Sequence, residues 1–149
     1  MHLRNVTDED LPLFFEHQRD PAALHMAAFP SREREAFMTH WRTRVLLPEN
    51  VVRAIVVDGQ VAGYISSWTQ NGERLIAYWI GREHWGRGIA TRALSEFLTV
   101  DPTRPLHACV AVHNVGSIRV LEKCGFRAEP QENPQVVDGV AELFMTLSP

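Results

Sequence analysis

Tyr78-Trp79-Ile80-Gly81-Arg82-Glu83-His84-Trp85-Gly86-Arg87-Gly88-Ile89-Ala90-Thr91 is the stretch on which the reading of the fold turns. A strand-like segment ends at Ile80 and a turn with two close glycines follows. The apolar spacing then becomes helical, with Ile89, Ala93, Leu94, Phe97 and Leu98 on one face. A strand therefore runs into a helix through a tight turn. The first turn of a helix carries unpaired N–H groups and a partial positive charge, which together make an anion site. Gly86 and Gly88 place no Cβ between the backbone and a phosphate, and Ala90 and Thr91 keep the helix start slim. Alone, the segment reads equally well as a tight turn with no ligand. It lacks the Gly-Lys-Ser/Thr of a Walker loop, and Thr91 stands where a dinucleotide fingerprint needs its third glycine.

Upstream, Val51–Val57 reads as a strand, Asp58-Gly59 as a hairpin turn and Val61–Trp68 as the return strand; Asn71-Gly72 then turns the chain into Leu75–Ile80. Before this meander lies the short segment Leu3–Val6. Thr7 with Asp8, Glu9 and Asp10 then marks a helix start, where a cap and acidic groups suit the dipole. Asp20-Pro21 interrupts that helix. Ser31 caps a second one carrying Phe37, Met38, Trp41, Val45 and Leu46. Downstream, Asp101-Pro102 ends the helix that opens at Gly88, and Leu106–Val112 reads as a buried strand. A further helix turns Ile118, Leu121 and Cys124 inward, with Gly125 as its left-handed cap. Phe126–Ala128 and Val140–Leu147 close the sheet on either side of a polar loop with Asp138-Gly139. The expected architecture is one α/β (mixed α+β) domain spanning residues 1–149.

Length and composition agree with that, since 149 residues suit one compact domain. The formal net charge is −3, from 15 basic and 18 acidic residues, and the basic residues are scattered. That argues against a nucleic-acid surface, which needs a basic stripe to displace counterions from phosphates. It is mildly compatible with an amine substrate. Cys109 and Cys124 form no CxxC pair and are expected to be reduced core residues. The seven histidines show neither HxH nor HExxH spacing, so no metal site is expected. No leader-like apolar run opens the chain and no stretch approaches ~18 apolar residues. The expectation is a cytoplasmic protein without a membrane partner.

The Tyr78–Gly81 and Trp85–Thr91 segments resemble the pyrophosphate-binding motif of the GNAT superfamily of N-acetyltransferases. Asn114-Val115-Gly116-Ser117-Ile118-Arg119-Val120-Leu121-Glu122-Lys123-Cys124-Gly125-Phe126 is similar to the second signature of its ribosomal-protein N-terminal acetyltransferase (Rim-type) branch. The resemblance implies a largely antiparallel sheet of about seven strands with splayed middle strands, about four helices, and acetyl-coenzyme A (acetyl-CoA) entering the gap. It assigns the pyrophosphate to backbone N–H groups of Trp85, Gly86, Arg87, Gly88, Ile89, Ala90 and Thr91. The strand end at Trp79 and Ile80 would pair with the pantetheine arm. Asn114 would bind the pantetheine amides, and Ser117 would lie near the thiol. Lys123 is either an adenosine contact or a solvated helix lysine. Two positions depart from the pattern: Trp85 replaces a Gln or Arg, and Leu121 stands where many members place a tyrosine to protonate the thiolate.

Aminolysis of a thioester needs a neutral amine, an oxyanion site and a route for the thiolate. At pH 7 a lysine amine costs about 4.6 kcal/mol to deprotonate, an α-amine about 1.1 kcal/mol. A backbone N–H near Ile80 could meet the oxyanion. Three residues are alternatives for proton transfer. Glu73 shares a strand face with Leu75, or is a solvent-facing turn glutamate. Tyr78 serves the thiolate or forms a wall, and His113 titrates in the useful range or is simply hydrogen-bonded. The acceptor pocket is expected between Asp20 and Phe29, with His25, Met26 and Phe29 available to line it. The leading expectation is acetyl transfer to an α-amine or a small-molecule primary amine. The alternatives are transfer to a side-chain or drug-like amine, and an idle acyl-CoA-binding sensor. The resemblance allows a homodimer as well as a monomer.

Overall fold

In the computed structural model, residues 1–27, 32–129, 135–137 and 140–149 are described. The meander forms as its turn residues dictate. Strands β2 (Val51–Val57) and β3 (Gln60–Gln70) are joined at Asp58-Gly59, and β3 turns into β4 (Glu73–Ile80) at Asn71-Gly72. All four turn residues have positive φ, the conformation that matches a two-residue hairpin to the twist of its strands. The expected start of the last strand moves two residues forward, so Glu73 belongs to it. Strand β1 (His2–Asn5) pairs antiparallel with β2.

The second half of the sheet consists of β5 (Leu106–Ala111), β6 (Arg127–Ala128), β7 (Gln135–Val137) and β8 (Val140–Leu147). The order is β1-β2-β3-β4-β5-β8-β6, with β7 pairing β8. Among the described strands the one parallel pair, β4 and β5, shares the single register pair Leu75↔His107. Beyond that point the strands separate. Ala77–Ile80 keep their bonds to β3 on one side, and the other edge is free of β5.

Helices cover both faces. Helix α4 (Ile89–Val100) buries Ile89, Ala93, Leu94 and Phe97 against Ile55, Ile65 and Ile76. Ile89, Leu94 and Phe97 each contribute about 1.5–3 kcal/mol on leaving water, and Ala93 less. Helix α5 (Val115–Lys123) adds Leu121 to the same core. On the opposite face lie α1 (Leu11–Gln18), α2 (Pro21–Ala27) and α3 (Arg34–His40), which continues as a π-helical turn over Trp41–Val45. Leu11, Phe14, Phe37 and Trp41 pack there on Val52 and Ala54, the alternate side chains of β2.

Several local expectations change. There are five α-helices rather than about four, because Asp20-Pro21 starts α2 as well as ending α1. Asp20 Oδ1 accepts the N–H groups of Ala22 (2.8 Å) and Ala23 (3.4 Å), and Pro21 fills the first position, where no N–H is needed. The Thr7 acidic cluster forms a 3₁₀ turn, Asp8–Asp10, ahead of α1. Asp10 turns inward there, accepting the Thr7 N–H (2.8 Å) and two bonds from Arg4 (2.7 and 2.9 Å). The cysteines are free but not core residues: Cys109 is exposed on β5 and Cys124 is half-buried. Ser31 and the Asp138-Gly139 turn lie outside the described residues.

A buried polar knot sits near the point where β4 and β5 still touch. Asp101, at the end of α4, accepts from Ser67 Oγ, from Arg74 Nε (3.0 Å) and from the Thr103 N–H (3.0 Å). Burial pushes its carboxyl up, but these hydrogen bonds prevail and hold it down at about 2.

Candidate active site

The splay creates two clefts, one on each side of the sheet's opening. The first, of about 560 Å³, is walled by the turn after β4, the start of α4, one flank of α5 and part of α2. Gly86 (φ 76°) and Gly88 (φ 71°) take left-handed conformations that a Cβ would strain, and the space around both is open. Gly88 precedes α4 and offers no side-chain cap, so the N–H groups of Ile89, Ala90 and Thr91 have no intrahelical partner and border this cleft. A row of free donors at a helix start, with no side chain over it, fits a pyrophosphate. Trp85 is 41% exposed and its Nε1 donates to the Ile80 carbonyl (2.9 Å), which pins the turn to the end of β4. The Arg87 side chain points away, to Asp58 (3.3 Å) and His84 (3.4 Å). Arg119 and Lys123, one helical turn apart, border the cleft as exposed cations.

A backbone contact shapes the strand end. A Cβ at Gly63, opposite Ile80, would collide with the Trp79 carbonyl oxygen. Glycine is what lets β3 and β4 close up there, at the strand end that runs beside the first cleft without β5 as a neighbour.

The second cleft, of about 790 Å³, lies between β3, the free parts of β4 and β5, and α3 with its π-helical turn. Five residues line both clefts: Ala27, Tyr78, Trp79, Asn114 and Ser117. At this junction the Tyr78 hydroxyl and Ser117 Oγ are 2.6 Å apart. Burial pushes the Tyr78 phenol up to about 12 against the Ser117 hydrogen bond, so it is protonated at neutral pH. Asn114 Oδ1 caps α5 by accepting the Ser117 N–H (3.3 Å), which leaves its side-chain amide hydrogens for another partner.

Of the three proton-transfer alternatives, Tyr78 alone lines a cleft. Glu73 is exposed at the first position of β4, opposite Gln70, on the same face as Leu75. His113 Nε2 lies 2.7 Å from the His25 carbonyl and must donate to it, tying α2 to the turn before α5. Leu121, buried at 1% exposure, borders the second cleft with no ionisable group. The acceptor wall also differs from expectation. Met26 faces the first cleft, His25 lines neither, and Phe29 lies outside the described residues. Ser66–Gln70 of β3, together with His40, Trp41 and Arg44, line the second cleft. Arg119 and the α3 residues were missed because the sequence signal there is helix periodicity, which does not say what a polar face meets. The i, i+4 spacing of Arg119 and Lys123 on α5 was the readable hint.

Among the described residues no group of three or more His, Cys, Asp and Glu side chains could hold a metal ion. Nor is any described helix long and apolar enough to cross a membrane.

The sequence profile of the acetyltransferase (GNAT) domain family matches residues 1–127. The chain belongs to the GNAT acetyltransferase family. This GNAT domain is 30% identical over 103 residues to the "Putative ribosomal N-acetyltransferase YdaF" of Bacillus subtilis (strain 168), a match covering 64% of the chain and 56% of YdaF. The match thus spans little more than half the length of that relative. Among solved structures, it resembles the spermidine N-acetyltransferase of Vibrio cholerae in complex with CoA and spermine: TM-score 0.83, 16% identity, 99% of this chain and 94% of that one covered. It also resembles the aminoglycoside acetyltransferase AAC(6')-Ib in complex with coenzyme A: TM-score 0.76, 18% identity, 98% and 93% covered. At those identities the likeness concerns the fold.

Proposed function

We propose that this GNAT domain is an acetyl-CoA-dependent N-acetyltransferase that acetylates a primary amine, an α-amine or a small-molecule amine, by direct attack. The observation that carries the reading is the meeting of two clefts at Tyr78 and Ser117, one lined by unpaired backbone donors and the other by side chains. Acetyl-CoA supplies an activated acetyl thioester. The chain's part is to hold two molecules end to end and to manage charge and one proton.

The N–H groups of Ile89, Ala90 and Thr91 bind the pyrophosphate, with Trp85, Gly86 and Gly88 shaping the loop and the Arg87 N–H available to it. The Trp79–Ile80 strand end, which has no β5 neighbour, and the Asn114 amide orient the pantetheine arm by hydrogen bonds. A backbone N–H at this strand end faces the charge that grows on the carbonyl oxygen. Ser117 donates toward the departing sulfur, and Tyr78, hydrogen-bonded to it and still protonated, backs that donation. This pair takes the place that Leu121 cannot fill. The excess proton on the product amine leaves through water, which suits an α-amine.

Thiol release from acetyl-CoA over a panel of primary amines tests the proposal. Turnover with one class of amine supports it. Tight coenzyme binding with no turnover on any amine would make the domain a sensor instead.

A further inference from the structure

The acceptor cleft has an electrostatic polarity of its own, opposite to the chain's net charge of −3. On the side of α3 and its π-helical turn it is bordered by Arg32, His40 and Arg44. Their convergence has two separate signs. His40 and Arg44 are one turn apart where α3 passes into its π-helical turn, closed by the bond from the Leu46 N–H to the Trp41 carbonyl (2.9 Å). The π-helical turn re-aims the residues that follow α3, a device common at functional sites. The imidazole of His40 is also held below its ordinary value, first by burial and then by the charges of Arg32 and Arg44. Both guanidinium groups are therefore close enough to act on it. The Tyr64 phenol, on the floor of this cleft, feels Arg32 as well; burial keeps it at about 12, a protonated donor.

One carboxylate, Glu49, borders the same cleft. Arg44 forms no ion pair with it or with any other described residue. Cys109 of β5 also lines this cleft, and the carboxylates of Glu142 and Glu73 that act on its thiol lie outside the lining.

We infer that the acceptor is an amine that also carries an anionic group, a carboxylate or a phosphate monoester, seated against Arg44 and its neighbours while the amine points to Tyr78. The inference rests on the acetyltransferase reading and narrows its substrate class. Polyamines and other polycations are disfavoured by the same charges, while an anionic group on the acceptor is favoured by them. Arg44 is the specificity residue; its guanidinium is exposed to the cleft and planar, suited to a two-point bond with either anion.

The test compares phosphoserine and glutamate with alaninamide and spermidine as acceptors, and measures phosphoserine binding to the CoA-saturated protein by calorimetry. The expected kcat/KM for the anionic amines exceeds that for the other two by about tenfold or more. Arg44→Glu removes the preference through a KM rise of about tenfold, with kcat changed little. Arg42→Glu, exposed on the same turn but outside the cleft, leaves KM unchanged. Preferred turnover of spermidine or alaninamide, or an Arg44→Glu protein with an unaltered KM, overturns the inference and leaves the enzyme reading standing. Phosphoserine binding that weakens in Arg44→Glu, with no turnover of any amine, supports the anion site and defeats the enzyme reading. Neither binding nor turnover of the anionic amines overturns the inference.

Discussion

The first cleft is bordered by a contiguous turn whose glycines and unpaired N–H groups are proposed to hold the donor; the second, the proposed acceptor side, is bordered by residues from β3, α3, the π-helical turn and β5. The first construction tolerates change in most side chains, because the groups that matter belong to every residue type. The second changes its preference with each substitution. A domain built this way keeps one donor and can vary its acceptor. The knot of Asp101, Ser67 and Arg74 reaches the second cleft through Ser67 and supports both sides, since it lies near the point from which the strands diverge.

Removing that knot has the largest expected effect. Asp101→Ala leaves Arg74, whose side chain is 11% exposed, without its counter-ion, a loss of about 3–5 kcal/mol of stability. The acid limb of the wild-type stability curve carries the same signature. The carboxyl is held below its ordinary 3.8, so its contribution is fully present above that value and is lost as pH falls toward about 2. Denaturant midpoints from pH 5 downward check both; an Asp101→Ala protein of wild-type stability would free the two clefts from any common support.

Tyr78→Phe comes next and addresses the junction. Losing the phenol that backs Ser117 is expected to lower kcat by about a hundredfold while leaving coenzyme affinity unchanged. Ser117→Ala should match it, and the double variant should be no worse than either single one, since the two act as a unit. Additive losses would break the pairing.

Gly88→Val tests the donor wall alone. Space around Gly88 is open but its φ of 71° is strained for a β-branched residue, so the turn must relax. Acetyl-CoA affinity should fall by about tenfold, with the amine KM at saturating donor unchanged. An unaltered affinity would remove the turn from the donor site.

How much of this was legible follows the same division. The main-chain wall was readable because Gly86, Gly88 and the helix pattern from Ile89 are contiguous, and their geometry is local. The hairpins were readable from Asp58-Gly59 and Asn71-Gly72 for the same reason. The acceptor wall was not, because His40 and Cys109 come together only through tertiary packing, and nothing in either stretch points to the other. Asp20-Pro21 shows a local signal with two meanings: Pro21 does stop α1, and the same pair is a helix start. The inward turn of Asp10 depends on Arg4 from β1, so no window around Thr7 could give it.

The smallest expected effect separates a tie from a catalyst. His113 lies beside Asn114 and has the chemistry of a base, yet its Nε2 is committed to the His25 carbonyl and its ring is 5.1 Å from that of His25. That bond fixes the tautomer and leaves Nδ1 as the basic nitrogen, but the residue borders neither cleft, so that nitrogen has no reacting group to serve. His113→Ala should therefore cost about 0.5–1.5 kcal/mol of stability, the worth of one such bond, and leave kcat within about threefold. A general base would instead cost about a hundredfold or more in kcat with no change in stability. The two readings predict opposite pairs of results, so thermal melts and initial rates on one variant decide between them. A large kcat loss would move proton transfer to the turn before α5 and end the assignment of Tyr78 and Ser117 as a sufficient pair.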